Sequence, residues 1–180
     1  MPETRMVRVE RSELSPWATL VARVIERPGS GMQTYHSLAQ SDYVSVLALT
    51  ADGRVPLVRQ YRPAVQRITL ELPGGLLDSK EPPEVVAARE LEEEVGLRAV
   101  GAPLLLGKLL PDTGRLENGF WCYFIRAVEI QSWAPEANVE RVLVTRGELR
   151  QAILDGGFDH ALHIALIGLA VLRGHFDWDA

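Results

Sequence analysis

An α+β fold, an α/β/α sandwich around a mixed sheet, is what this sequence predicts. Three observations carry that expectation. Short β-branched runs recur between Gly- and Pro-containing turns along most of the chain. One helix-spaced stretch interrupts them after Pro83, and two more helical stretches close the chain. So many strands with so few helices do not make a regular βαβ array. Composition agrees: of 180 residues, 47% are hydrophobic and 24% charged, an ordinary globular balance with apolar surface enough for a core.

The elements follow in order. Thr19–Glu26 and Met32–Leu38 read as strands around a Pro28-Gly29-Ser30-Gly31 turn. Tyr43–Leu49 and Arg54–Gln60 flank Asp52-Gly53, a hairpin signal. Arg67–Leu72 alternates as a strand until Pro73-Gly74-Gly75 breaks it. From Pro83 to Val95 the spacing is helical, with Ala88, Leu91 and Val95 as the inward stripe and Gly96 as the stop. Strands follow at Leu104–Leu109, Phe120–Val128 and Val139–Val144, then helices at Glu148–Leu154 and His160–Arg173.

Several function classes are excluded early. The formal charge is −5 with no Lys/Arg block, which argues against capture of a nucleic-acid backbone. The lone Cys122, in an apolar run, rules out a disulfide framework and a multi-Cys zinc site; it reads as a small buried hydrophobe. No signal peptide is visible in the polar first residues, and no apolar run approaches the ~20 residues of a membrane span. A cytoplasmic location without membrane partners is the expectation.

The informative stretch is Gly75 to Leu97. Glu90, Glu93 and Glu94 share one side of the helix at about 100° per residue, while Leu91 and Val95 point into the core. Glu92 lies roughly opposite Glu90 and reads as solvated. Clustered carboxylates repel one another, and a solvated acidic face is the bland account of such a run. Two features weigh against it. Arg89 stands four residues before Glu93 and can hold a carboxylate, and a Gly-rich turn precedes the helix, where backbone carbonyls can face the same space. Hard oxygen ligands of this kind suit Mg²⁺ or Mn²⁺ together with substrate phosphates.

The same stretch resembles the Nudix hydrolases at every fixed position of their box: Gly75, Glu81, Arg89, Glu90, Leu91, Glu93, Glu94, Gly96 and Leu97. The resemblance implies the Nudix fold, with a loop–helix–loop that carries Mg²⁺ (Mn²⁺ as the alternative) and cleaves a nucleoside diphosphate linked to another group. The wider segment, with its QYR and ELPGG elements, is similar to the ADP-ribose and nucleotide-sugar pyrophosphatase branch. That likeness implies roles residue by residue. Arg62 would bind the diphosphate or an adjoining group, and Glu71 would contact the base or help organise the site. The Gly74 carbonyl would bind metal beside Glu90 and Glu94. Glu93 would bind metal or orient water, Arg89 would position carboxylates, and Leu76 would join the substrate contacts. Pro111 to Asn118 resembles a proline-containing loop of the branch, which makes Glu117 a substrate-contact candidate, although ordinary turn chemistry accounts for Pro111 and Gly114 as well.

The branch often supplies a further glutamate from a loop before the late strand. Here alignment puts Ala137 at that place, with Glu136 and Glu140 on either side. Glu136 is the better loop candidate for general base, and a helix glutamate is the alternative. His160 and His163 lie three apart without a visible third ligand, so Asp159 as helix cap is the simpler account. Residues 1–40 are expected to form a strand extension that dimerises the chain, with residues 41–180 as the hydrolase domain. Trp17 and Tyr35 are candidates for stacking on the base. Two rival functions remain: a housecleaning nucleoside triphosphate pyrophosphatase, and a non-catalytic nucleotide-sensing module. The QYR and ELPGG context weighs against the first, and the complete box against the second.

Overall fold

The computed structural model describes residues 4–78, 80–134 and 137–179. The chain divides into two compact units, Met1–Asp42 with Leu110–Gly119, and Tyr43–Leu109 with Phe120–Ala180.

The first unit is an antiparallel sheet in the order β1-β2-β3, from Arg5–Ser15, Ala18–Arg27 and Gly31–Ala39. Strand β1 was not expected. Nearly every residue along it is exposed, so no inward-facing alternation marks the segment in the sequence. Its ladder to β2 runs from Arg5 opposite Glu26 to Ser15 opposite Ala18. The Leu110–Gly119 segment joins this unit through Leu38, whose N–H donates to Arg115 O and whose carbonyl accepts from Glu117 N.

In the second unit, β4 (Tyr43–Thr50) and β10 (Phe120–Glu129) run parallel at the centre of a five-stranded sheet. Strands β7 (Gly74–Leu76), β8 (Leu97–Ala99) and β9 (Leu104–Leu109) complete it. A three-stranded sheet holds β11 (Val139–Val144), β5 (Val55–Arg62) and β6 (Arg67–Glu71) in that order. The expected β4–β5 hairpin does not form. The Asp52-Gly53 turn is present, closed by Thr50 N–H to Arg54 O, but its two strands enter different sheets. The reason lies in β4, which is buried on both faces and takes ladder partners on both edges, β10 and β7.

Alternate residues of β4 feed opposite cores. Val44, Val46 and Ala48 pack with Val86, Ala87, Leu91 and Val95 of helix α1 (Pro83–Val95). Leu47 and Leu49 pack with Leu149 of α2 (Arg146–Leu154) and Leu166, Ile167 and Ala170 of α3 (Ala161–Leu172). Helices thus cover both faces, as the sandwich expectation requires. The α1 stripe runs through Ala87 rather than Ala88, which is only half-buried. Helix α2 starts before Glu148, because Thr145 and Glu148 form a reciprocal capping box. Cys122 is buried and unpaired, and burial pushes its thiol up to about 12, so it is inert packing. Among the described residues no helix is long and apolar enough to cross a membrane.

Candidate active site

Helix α1 presents its acidic side to the Gly74–Gly75 strand. Its buried stripe fixes its rotation, and Gly96 ends it in the left-handed conformation at φ 65°, with its N–H on Glu92 O. The β7 segment is held against β4 by Ser45 Oγ and Val46 N–H, each 2.9 Å from Pro73 O. Both glycines are needed for this approach. A Cβ at Gly74 would lie 2.2 Å from Val44 O, and one at Gly75 would lie 2.6 Å from the Glu90 carboxyl.

The carboxylates are tied down from two sides. Gly74 N–H donates to Glu94 Oε2 at 2.9 Å, and Glu94 is almost fully buried. Arg89 donates to Glu93 at 2.7 Å, meets Glu90 at 3.1 Å and lies 3.7 Å from Glu81. One guanidinium therefore holds two carboxylates of the acidic face and one from the segment before the helix. Glu92 points away, to Arg98 at 3.1 Å. Buried and half-buried carboxylate oxygens beside a backbone loop form a hard donor set, which fits a divalent cation. Glu90 and Glu94, one helical turn apart, would hold it; when bound, it would neutralise charge on phosphate oxygens.

Beside this helix, Arg62 and Glu71 form a two-pronged pair. Arg62 Nε meets Oε1 at 2.9 Å and Nη2 meets Oε2 at 2.6 Å, and Thr69 Oγ1 donates to Oε1 at 2.7 Å. Burial alone would raise the Glu71 carboxyl, but Arg62 and Thr69 overcome it and hold it at about 2. Both Glu71 oxygens are thus engaged, whereas no hydrogen bond engages Arg62 Nη1 among the described residues. Arg62, Glu71, Gly74, Gly75 and Leu76 line one cleft of about 180 Å³, along with Tyr43, His160 and His163.

The last three residues were missed as pocket lining. Tyr43 carries a hydroxyl pushed up to about 12 by burial. His163 and His160 do acquire the third ligand that the sequence did not reveal: a Glu71 oxygen lies within 4.8 Å of a nitrogen of each. The hydrogen bonds argue against a metal there. His163 Nδ1 accepts from Leu72 N–H at 3.0 Å, which puts the proton of the neutral ring on Nε2 and leaves no lone pair for a metal. Burial, then His160 and Arg62, push the His163 imidazole down to about 3, so it stays neutral. The cap of α3 also differs from expectation. His160 itself is the N-cap and accepts from His163 N–H at 3.4 Å, while Asp159 pairs with Arg67.

In the first unit, Glu117 accepts from Ser37 Oγ at 2.7 Å and pairs with Arg23 and Arg11. Arg23 and Ser37 hold its carboxyl down at about 2. Trp17 and Tyr35 are exposed there. Glu136, the loop candidate for general base, lies outside the described residues; Glu140 pairs with Arg59 at 3.1 Å. One further group went unnoticed in the sequence. The Trp133 ring rests on Gly96 at the end of α1, and a tryptophan followed by Ala-Pro carries no local mark of that contact.

Comparison with known proteins gives the family. Residues 40–160 match the NUDIX domain model. An ADP-ribose pyrophosphatase of Mycobacterium tuberculosis is 34% identical over 167 residues, covering 83% of this chain and 78% of that protein. An ADP-ribose pyrophosphatase of Bacillus subtilis is 37% identical over 75 residues, 42% of this chain and 40% of that protein. A crystal structure of an ADP compounds hydrolase superposes with a TM-score of 0.79 over 97% of both chains at 19% identity, which establishes the fold. The acidic helix and its glycine strand fall inside the matched residues. The chain belongs to the Nudix family of hydrolases.

Proposed function

We propose that this chain hydrolyses the pyrophosphate bond of ADP-ribose or a related nucleoside diphosphate sugar. The products are a nucleoside monophosphate and a sugar phosphate. The supporting observation is the cleft that brings the Arg62–Glu71 pair beside the Gly74–Gly75 strand packed on Glu90 and Glu94. Arg62 Nη1 faces a phosphate oxygen, Glu71 orients Arg62, and Leu76 flanks the substrate. Mg²⁺ is the cofactor, held by Glu90, Glu94 and the Gly74 carbonyl, with Glu93 placed to bind metal or orient water. Glu136 is the base we favour. Glu117, Trp17 and Tyr35 are assigned to substrate contacts from a second chain. The relatives named ADP-ribose pyrophosphatase support this choice over nucleoside triphosphates.

Residues 1–40 form the dimerisation element of a homodimer, and residues 41–180 the catalytic domain. Met6, Val9, Leu14, Trp17 and Met32 are exposed apolar side chains on or beside the first sheet, which favours a covering partner. The lone reduced Cys122 suits the cytoplasm.

Hydrolysis of ADP-ribose, nucleotide sugars and deoxynucleoside triphosphates in ¹⁸O-labelled water tests the activity. Nucleoside monophosphate from the sugar-linked substrates, made only with divalent metal, is expected; exclusive release of pyrophosphate from triphosphates would overturn it. Light scattering on the eluted protein tests the dimer.

A further inference from the structure

The C-terminal turn of the catalytic helix is gripped by groups that belong to other elements. A helix leaves its last carbonyls without intrahelical partners, and α1 has no basic residue in its last turn to meet them. Trp133 Nε1–H donates to Glu93 O at 3.0 Å. Arg141, on β11, donates from Nη1 to Val95 O at 3.1 Å. Its guanidinium also lies 4.9 Å from the Trp133 ring centre, a cation–π contact. The Trp133 ring sits directly on Gly96, where a Cβ would come within 2.4 Å of Cδ2, and Ile130 N–H donates to Gly96 O at 3.0 Å.

We propose that Trp133 and Arg141 act together as positioning residues for hydrolysis. They hold the backbone of Glu93 and Val95 so that the Glu93 and Glu94 carboxylates keep their places at the metal and substrate site. A buried stripe alone fixes the rotation of α1 but tolerates fraying of its last turn, and that turn carries two of the working carboxylates. The indole holds the backbone carbonyl of Glu93 itself. The guanidinium supplies the cationic end that the helix lacks and pins the indole by its face. Gly96 is then required twice, for its positive φ and for the space the ring occupies.

The proposal takes its kinetic readout from the hydrolase reading above. Trp133→Ala, Trp133→Phe, Gly96→Ala and Arg141→Met are compared with wild type for kcat and KM on ADP-ribose and for the Mg²⁺ concentration giving half-maximal rate. Trp133→Ala and Gly96→Ala are expected to lower kcat by ~10–100-fold, the scale of an ångström-sized misplacement, and to raise the half-maximal Mg²⁺ concentration. KM should move by less than ~3-fold. Trp133→Phe, which keeps the ring and loses the N–H, should recover only part of the loss, and Arg141→Met should likewise fall between Trp133→Ala and wild type. A Trp133→Ala enzyme with wild-type kcat and Mg²⁺ dependence would overturn the proposal. So would a Phe variant as impaired as Ala while both melt with wild type, which would leave the ring without a role. Should wild type cleave none of the substrates, the function reading fails separately. Hydrogen exchange then tests the clamp: the Val95 and Gly96 amides should exchange at least ~10-fold faster in Trp133→Phe, and unchanged exchange would overturn it.

Discussion

Two clusters of potential metal ligands lie in the second unit, one of glutamates and one of a glutamate with two histidines, and they differ in how their charge is balanced. On α1, Arg89 meets Glu81, Glu90 and Glu93, and Glu94 stands a turn beyond Glu90. Behind it, Glu71 stands with His160 and His163, a set that by spacing alone would suit zinc. The first cluster concentrates carboxylates around a single guanidinium. The second is already balanced: Glu71 has Arg62 on both oxygens, and His163 has spent a lone pair on Leu72 N–H. Carboxylate charge in excess of its counter-ions therefore points to a cation site better than residue types within reach of one another.

The sharpest way to break this comparison is to remove charge from the helix. Glu94→Gln keeps an oxygen for Gly74 N–H and so should keep the fold. It should lower kcat on ADP-ribose by about a hundredfold or more, through loss of metal-held electrostatic stabilisation. Steady-state kinetics beside a melting curve check both halves; a folded variant with wild-type turnover would remove the helix cluster from the chemistry.

Next in size is the balanced pair. Arg62→Lys keeps the charge but cannot bridge both Glu71 oxygens while offering a third donor. KM for ADP-ribose should rise ~10-fold with a smaller change in kcat, the order expected of a lost charged hydrogen bond. Urea unfolding should show a loss of ~1–3 kcal/mol, because Glu71 is buried and left half-satisfied. An unchanged KM would confine the pair to a structural role.

Acid should act on Glu71 and His163 of the second cluster in separate windows. The His163 imidazole is pushed down to about 3 by burial, so the unfolded chain binds a proton that the folded one refuses. Stability is then complete above about pH 6.5 and declines as pH falls toward 3, by up to ~1.4 kcal/mol per pH unit for one proton. Glu71, held at about 2, adds a loss only below about pH 4.5. Between those values the slope is that of His163 and not of Glu71. His163→Gln, which can still accept from Leu72 N–H, should flatten it in urea midpoints taken from pH 7 to 5. A slope that persists would mean that His163 does not titrate on unfolding.

How much of this could be read in the sequence depended on distance along the chain. The acidic helix was legible as a helix because its carboxylates, its apolar stripe and its terminal glycine repeat within four residues of one another. Arg62 and Glu71 were legible as separate candidates, but their mutual grip depends on the pairing of β5 with β6, which sets their side chains on a common path. The Asp52-Gly53 signal correctly marked a turn and misled about pairing, since a local turn says nothing of the two-sided burial that sends β4 to another sheet. Glu71 meeting His163, and Trp133 meeting Gly96, join residues 92 and 37 positions apart. No local pattern encodes such contacts; they come from packing helix against sheet.

The smallest effect expected is an absence, and it bears on the comparison most directly. Zinc prefers imidazole with carboxylate, so it is the ion that would expose a latent site at Glu71, His160 and His163. Binding there would require His163 to surrender the Leu72 hydrogen bond, or Glu71 to surrender Arg62, in a buried pocket where each loss is expensive. Stoichiometric Zn²⁺ should therefore shift the melting temperature of wild type and of His160→Ala equally. Mn²⁺ should stabilise wild type more than Glu90→Gln. A zinc shift that vanishes with His160 would show that the second cluster keeps ligands to spare, and the hydrogen-bond argument against a metal there would then fail in this protein.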